Sequence, residues 1–144
     1  MTPAGGGVRS LFSPLSTLHS PRPLCFGALY MSGLRELHYA ARDTYAGSTD
    51  LLGITPYLRR KPIRIHGPAD PHLEALIVAL HVEFSLHTIG PTRALPLLDA
   101  WQTTSPTGVT LGRTLHHTGH LRHLRSTNAY APGTIDELAA LLST

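Results

Sequence analysis

The sequence predicts a mainly α-helical protein whose second half is a winged helix-turn-helix, a three-helix core with a small β-hairpin wing, plus flanking helices. Three observations predict it. From Asp70 onward, apolar residues recur at helical spacing between strong start and stop signals. The run Pro106 to His117 carries a polar outward stripe that lacks any acid, and the run after Gly119 is basic and bounded by turn residues.

Bulk composition sets the frame. A chain of 144 residues, 42% hydrophobic and 15% charged, has enough apolar content for one core and is neither a disordered polyelectrolyte nor a membrane protein. The longest apolar run, Ala75 to Leu80, is far shorter than the roughly 18 residues that span a bilayer. The formal charge of +3 comes from eleven arginines and one lysine, Lys61, against nine acids. Arginine suits phosphate and guanine, although a GC-rich coding sequence gives the same skew. Ten histidines add latent positive charge, since they titrate just below neutrality. A single cysteine, Cys25, excludes an internal disulfide and a multi-cysteine zinc site and fits a reducing, cytoplasmic setting.

Residues 1–30 contain Arg9 and Arg22, no acid, and many Gly, Pro and Ser. This reads as a flexible N-terminal tail, or as sequence upstream of a natural start at Met31; a transit peptide has a loosely similar composition. Residues 31–69 read as one helix and a connector. Ser32 caps a helix to about Ala46, with Leu34, Leu37, Ala41 and Tyr45 near helical spacing and Gly47 as the stop. Gly53, Pro56, Pro62, Gly67 and Pro68 break the connector, which has one candidate edge strand at Ile63 to His66.

Residues 70–144 form the predicted winged-helix domain with a C-terminal helix. Asp70 and Pro71 open a helix through about His87, with Leu73, Leu76, Ile77, Leu80 and Phe84 on one face. The alternation Val78, Leu80, Val82, Phe84, Leu86 fits a strand as well. A good cap and a run beyond ordinary strand length favour helix. Gly90 and Pro91 then separate it from a helix over about Thr92 to Gln102, whose start shifts toward Pro96 if that proline opens it. Ser105 and Pro106 begin the third helix, which Gly119 ends. His120 to Arg125 and Ala129 to Ala131, joined by Ser126 to Asn128, are the expected wing strands. Thr134 and Glu137 form an expected capping box before Leu138, Leu141 and Leu142.

With Leu111 and Leu115 turned inward, Thr110, Arg113, Thr114 and His117 share an outward stripe within roughly 100° of arc. From Thr103 to Ile135 there is no Asp or Glu, while Arg113, Arg122, Arg125 and four histidines fall there. Such a window lets a polyanion approach without repulsion, with arginine on guanine and threonine on backbone. Three arginines give a modest electrostatic contribution, so tight binding calls for a homodimer or a partner.

The run LLDAW, followed after a short turn by VTLGRTLHHTGHLRHLR, resembles the winged-helix module at the C-terminus of phage and plasmid primase-helicases, over about residues 70–131. The resemblance implies duplex DNA binding in a phage, mobile-element or transcription setting. It puts Trp101 in the second-helix core, Leu111, Gly112 and Leu115 on the packed face of the recognition helix, and Gly119 at its end. Arg113, Arg122 and Arg125 match basic positions, with Tyr130 near the wing. No G-x-x-x-x-G-K-[ST] run occurs, so ATPase or primase activity is not implied, and neither a cofactor nor a metal is expected.

Other readings of the same residues stand beside this one. Leu111, Leu115, Leu121 and Leu124 also suit a helical protein–protein interaction module with arginines as its solvated face. His116, His117, His120 and His123 invite a metal, but Gly119 interrupts their helix and no acid completes the set. Glu74, His81 and Ser85 align along one helix face, an arrangement that rarely converges on a substrate. As a strand, the segment would instead place His81, Glu83, Ser85 and His87 together.

Overall fold

The computed structural model describes residues 14–127 and 133–142. In chain order the elements are β1 (Leu15–His19), α1 (Pro23–Ser32), β2 (Glu36–Ala41), a 3-10 turn (Thr49–Leu51), β3 (Arg64–His66), α2 (Pro71–Thr88), α3 (Pro91–Gln102), α4 (Pro106–Thr118), α5 (His120–Ser126) and α6 (Gly133–Leu141). The protein is mainly helical, as expected, and it adds a three-stranded parallel sheet in the order β1-β2-β3.

The sheet revises the reading of the first half. Residues 14–30, assigned to a flexible tail, contribute β1 and most of α1, and α1 buries Phe26, Leu29 and Tyr30. Gly33, with φ 83°, ends α1 in the left-handed conformation that glycine adopts without strain. Ser32 therefore closes a helix instead of capping one. The helix expected from Ser32 to Ala46 is replaced by β2, because Glu36 to Ala41 also alternates. Leu37, Tyr39 and Ala41 are buried while Glu36, His38 and Ala40 are half-buried. Parallel pairing on both sides, with Leu37 opposite Leu15 and Ile65, selects the extended form over the helical one. The candidate strand at Ile63 to His66 is present as β3.

The second half is a helical layer built around α2. Asp70 caps it, its Oδ1 accepting from the N–H groups of His72 and Leu73 at 3.0 and 3.1 Å. Residues from Ala75 to Leu86 are buried on nearly all sides, which is why the segment fitted both periodicities. Its closest partner is α4. A Cβ added at Gly108 would lie 2.7 Å from the Ala75 carbonyl oxygen, and one at Gly112 2.6 Å from both the Ala79 oxygen and Val82 Cβ. Two glycines four apart thus let the helices approach closer than side chains allow, and Leu111 and Leu115 complete the packed face.

The helix α3 begins at Pro91, so Pro96 lies inside it and is not its start. Trp101 is fully buried between α2 and the sheet, and its Nε1–H donates to the Arg42 carbonyl at 3.2 Å. A three-residue turn joins α3 to α4, where the sequence predicts a turn. The wing does not follow. His120 to Ser126 is the helix α5, with Leu121 packed against the Leu76, Leu111 and Leu115 cluster, because the i, i+3 pair Leu121 and Leu124 has a helical apolar face to dock on. The proposed return strand at Ala129 to Ala131 lies outside the described residues. The last helix is present as α6, starting at Gly133, one residue before the expected Thr134 cap. Its Glu137 carboxylate faces His120 at 3.5 Å.

Candidate functional site at the strand ends

In a parallel sheet the carboxyl ends of the strands gather loops and helix starts, which is where such folds place ligands. Here β1 ends at His19 and runs through Ser20, Pro21 and Arg22 into α1, while β2 ends at Ala41 and continues to Arg42 and Asp43. Backbone pairing persists past the strand, with the Ser20 N–H on the Ala41 carbonyl at 2.9 Å. That contact brings Arg22 and Asp43 face to face.

Asp43 is buried, and its carboxylate is fully used. Oδ1 accepts from the N–H groups of Tyr45 and Ala46 at 3.1 and 2.9 Å, and Oδ2 accepts from Arg22 Nε at 3.0 Å. The Asp43 N–H donates to Ser20 Oγ at 2.9 Å. Gly47 closes the same loop, since a side chain there would collide with the Asp43 carbonyl and with Ser20 Oγ. Asp43 therefore fixes the loop after β2 and holds one side of the Arg22 guanidinium. The other side of that group remains half-exposed.

Arg22 Nη2 reaches to 3.5 Å from His81 Nε2, and His81 Nδ1 lies 3.2 Å from His19 Nε2. The His81 ring is edge-on to His19 at 4.8 Å and to Trp101 at 4.7 Å. Burial holds His81 down to about 4, helped by Coulomb repulsion from His19 when that ring is protonated and from Arg22, and opposed by Asp43. His19 is lowered as well, by burial first, then against Asp43 and with Arg22. Both imidazoles are neutral near pH 7. Because an arginine only donates, the network assigns His81 Nε2 as acceptor, Nδ1–H as donor to His19 Nε2, and His19 Nδ1–H as a remaining donor. The result is an ordered chain from Asp43 through Arg22 and His81 to His19.

This chain forms the polar end of a groove of about 760 Å³. Leu18, Leu76, Leu80 and Phe84 are among its apolar walls, and Cys25 on the first turns of α1 also lines it. The size and the ratio of apolar wall to few convergent polar groups are those of small-molecule sites.

The residues singled out from sequence lie elsewhere. Thr110, Arg113, Thr114 and His117 are all exposed on α4, opposite the face that meets α2. The Thr114 hydroxyl donates to the Thr110 carbonyl at 3.1 Å, within the helix. Arg122 and Arg125 are exposed on α5, on a helix instead of a wing strand. Tyr130 lies outside the described residues. Glu74, His81 and Ser85 do not converge: Glu74 Oε1 accepts from the Arg42 N–H at 3.0 Å, Ser85 is buried, and His81 alone enters the groove.

Sequence reading missed His19, Arg22 and Asp43, because the first two sat in the assumed tail and the third in the assumed helix. The available signal was weak on the first strand, where Leu15 to His19 has no apolar alternation, and clearer after it: Pro21 and Pro23 open a helical run, and Gly33 precedes the alternation Leu37, Tyr39, Ala41. No protein-family model, curated protein or solved structure matches the chain. No helix among the described residues is long and apolar enough to cross a membrane.

Proposed function

We propose that the chain is a binding protein for a small planar heteroaromatic molecule, of the nucleobase or nucleoside class, seated in the groove at the ends of β1 and β2. The observation that carries this reading is the juxtaposition of neutral His19 and His81 with Arg22 at the end of an otherwise apolar groove. Apolar walls accept the faces of a flat ring. The His19 Nδ1–H and the open side of the Arg22 guanidinium are donors that suit the ring-nitrogen and carbonyl acceptors on the edge of a base, whereas a plain hydrocarbon would leave them unpartnered.

Enzymes that deaminate nucleobases hold zinc on a P-C-x-x-C run. The run opening α1 is Pro21-Arg22-Pro23-Leu24-Cys25, with one cysteine at that spacing and Arg22 in place of the other. A guanidinium bound to Asp43 is no metal ligand, so this run lacks the pair that zinc requires there. Binding without zinc-dependent catalysis is the function the groove supports.

The test is ligand-observed NMR with adenosine, guanosine, cytidine and uridine, and with indole as a flat control lacking the polar edge. At least one nucleoside is expected to bind, to shift the His19 and His81 ring signals and to lose affinity in Arg22→Ala. Absence of nucleoside binding, or binding that Arg22→Ala leaves unchanged, removes the proposal.

A second reading, duplex DNA binding by α4 and α5, is favoured by one observation. Arg113, His117, Arg122, His123 and Arg125 are all exposed, and the chain has no acid between residues 103 and 135. The α3–α4 helix-turn-helix then presents α4 to the groove, α5 takes the position expected of the wing, and a homodimer supplies the missing charge. A mobility shift on duplex DNA that weakens with salt supports it, and no shift at low salt ends it.

A further inference from the structure

The sheet carries a second cluster, remote in composition from the first. The register of β2 and β3 sets Glu36 opposite Arg64 and His38 opposite His66, and the two-residue period of a strand puts Glu36 and His38 on the same face. Glu36 Oε1 is 3.1 Å from His38 Nε2 and 3.2 Å from His66 Nε2, and all three donor atoms lie within 4.8 Å of one another. The two imidazoles are stacked, centroids 4.5 Å apart and planes 16° from parallel.

We infer that Glu36, His38 and His66 form a binding site for a divalent transition-metal ion, with zinc the best-suited common ion. The donor set is two imidazole nitrogens and one carboxylate oxygen, which selects zinc, cobalt, nickel or copper over magnesium and calcium. The spacing fits. Tetrahedral bonds of about 2.0–2.1 Å to nitrogen and oxygen place neighbouring donors roughly 3.3 Å apart, close to the two contacts made by Glu36. Both histidines move to the tautomer with hydrogen on Nδ1, freeing Nε2 as ligand, so no net charge enters the cluster except the ion itself.

Two surrounding features complete the site. Arg64 Nη2 donates to Glu36 Oε2 at 2.9 Å, which fixes the carboxylate with Oε1 turned to the histidines. An outer partner of that kind orients a metal-ligating carboxylate, and the Arg64 side chain is 72% exposed, so water screens its charge. His38 and His66 also line a groove of about 290 Å³ with Ser16 and Thr17. Three protein ligands leave at least one coordination position, and this groove has room for water or a small anion to fill it. The histidines flagged in the sequence, His116, His117, His120 and His123, are not part of this cluster.

The experiment is calorimetric titration of the full chain with Zn²⁺, paired with visible absorption spectra on adding Co²⁺. One equivalent is expected to bind with micromolar or tighter affinity, and Co²⁺ is expected to show the intense bands of low coordination number. His38→Ala and His66→Ala should each weaken binding by more than about 10-fold, while the double variant His116→Ala/His123→Ala binds as the parent does. All four altered positions are at least partly exposed, and far-UV circular dichroism verifies that the variants keep the fold. Failure of the parent to bind either ion, or binding that survives His38→Ala and His66→Ala, overturns the site.

Discussion

His81 Nδ1 stands 3.2 Å from His19 Nε2, so residues 62 positions apart in the chain join α2 to the end of β1 through one imidazole pair. A proton on His19 Nε2 removes the acceptor of this contact, and one on His81 Nε2 faces the Arg22 guanidinium. Protonating either ring adds a positive charge beside the other and beside Arg22, in a place with little water.

That arrangement sets a pH dependence. His81 is held near 4 when folded and returns to 6.5 when unfolded, so between those values the unfolded chain binds more protons. The stabilising contribution is complete above about pH 6.5 and declines as pH falls toward 4. Urea midpoints are expected to be lower at pH 5 than at pH 7, and His81→Gln is expected to flatten this slope. A slope identical in parent and variant counts against the neutral pair.

Asp43 is the anchor of the same site. Asp43→Ala strands the N–H groups of Tyr45 and Ala46 and frees Arg22, and is expected to cost about 2–4 kcal/mol. Arg22 is half-exposed, so Arg22→Ala should cost less stability than Asp43→Ala while removing more ligand binding. Chemical denaturation of both variants checks the order.

The close approach of α2 and α4 rests on Gly112. A methyl there would press on the Ala79 carbonyl and on Val82, and two packed helices yield poorly, so Gly112→Ala is expected to destabilise by about 1–3 kcal/mol despite the better helix propensity of alanine. An unchanged melting temperature would show that the helices separate easily.

Trp101 joins three parts of the core. Trp101→Phe keeps most of the apolar volume but leaves the Arg42 carbonyl without its side-chain donor, and is expected to cost about 1–3 kcal/mol. The same change should raise the mobility of the His81 ring, which rests edge-on to the indole, a difference visible in imidazole NMR line widths.

The helical half was legible because its signals are local. Asp70 and Gly119 mark boundaries by side-chain capping and by the left-handed φ of 66° at Gly119, and both act within a few residues. Trp101 and Leu115 were recognisable as core by size and spacing. The sheet was not legible, since Leu34, Leu37, Ala41 and Tyr45 satisfy helical spacing and only pairing with Leu15 and Ile65 decides between the forms. The wing failed for the converse reason. Leu121 and Leu124 suit a helix as soon as a packed surface lies beneath them, and α2 with α4 supplies one. His19, Arg22, Asp43 and His81 form a site only through contacts between distant stretches, which no local window contains.

The strand β1 and the helix α1 are integral to the sheet and its cover. A polypeptide begun at Met31 would lack the strand that pairs with Leu37 and Tyr39 and the helix residues Leu29 and Tyr30 that cover them. It would also lack His19 and Arg22. Sheet edge and groove thus depend on the same short stretch, and removing it is expected to uncover one and dismantle the other together.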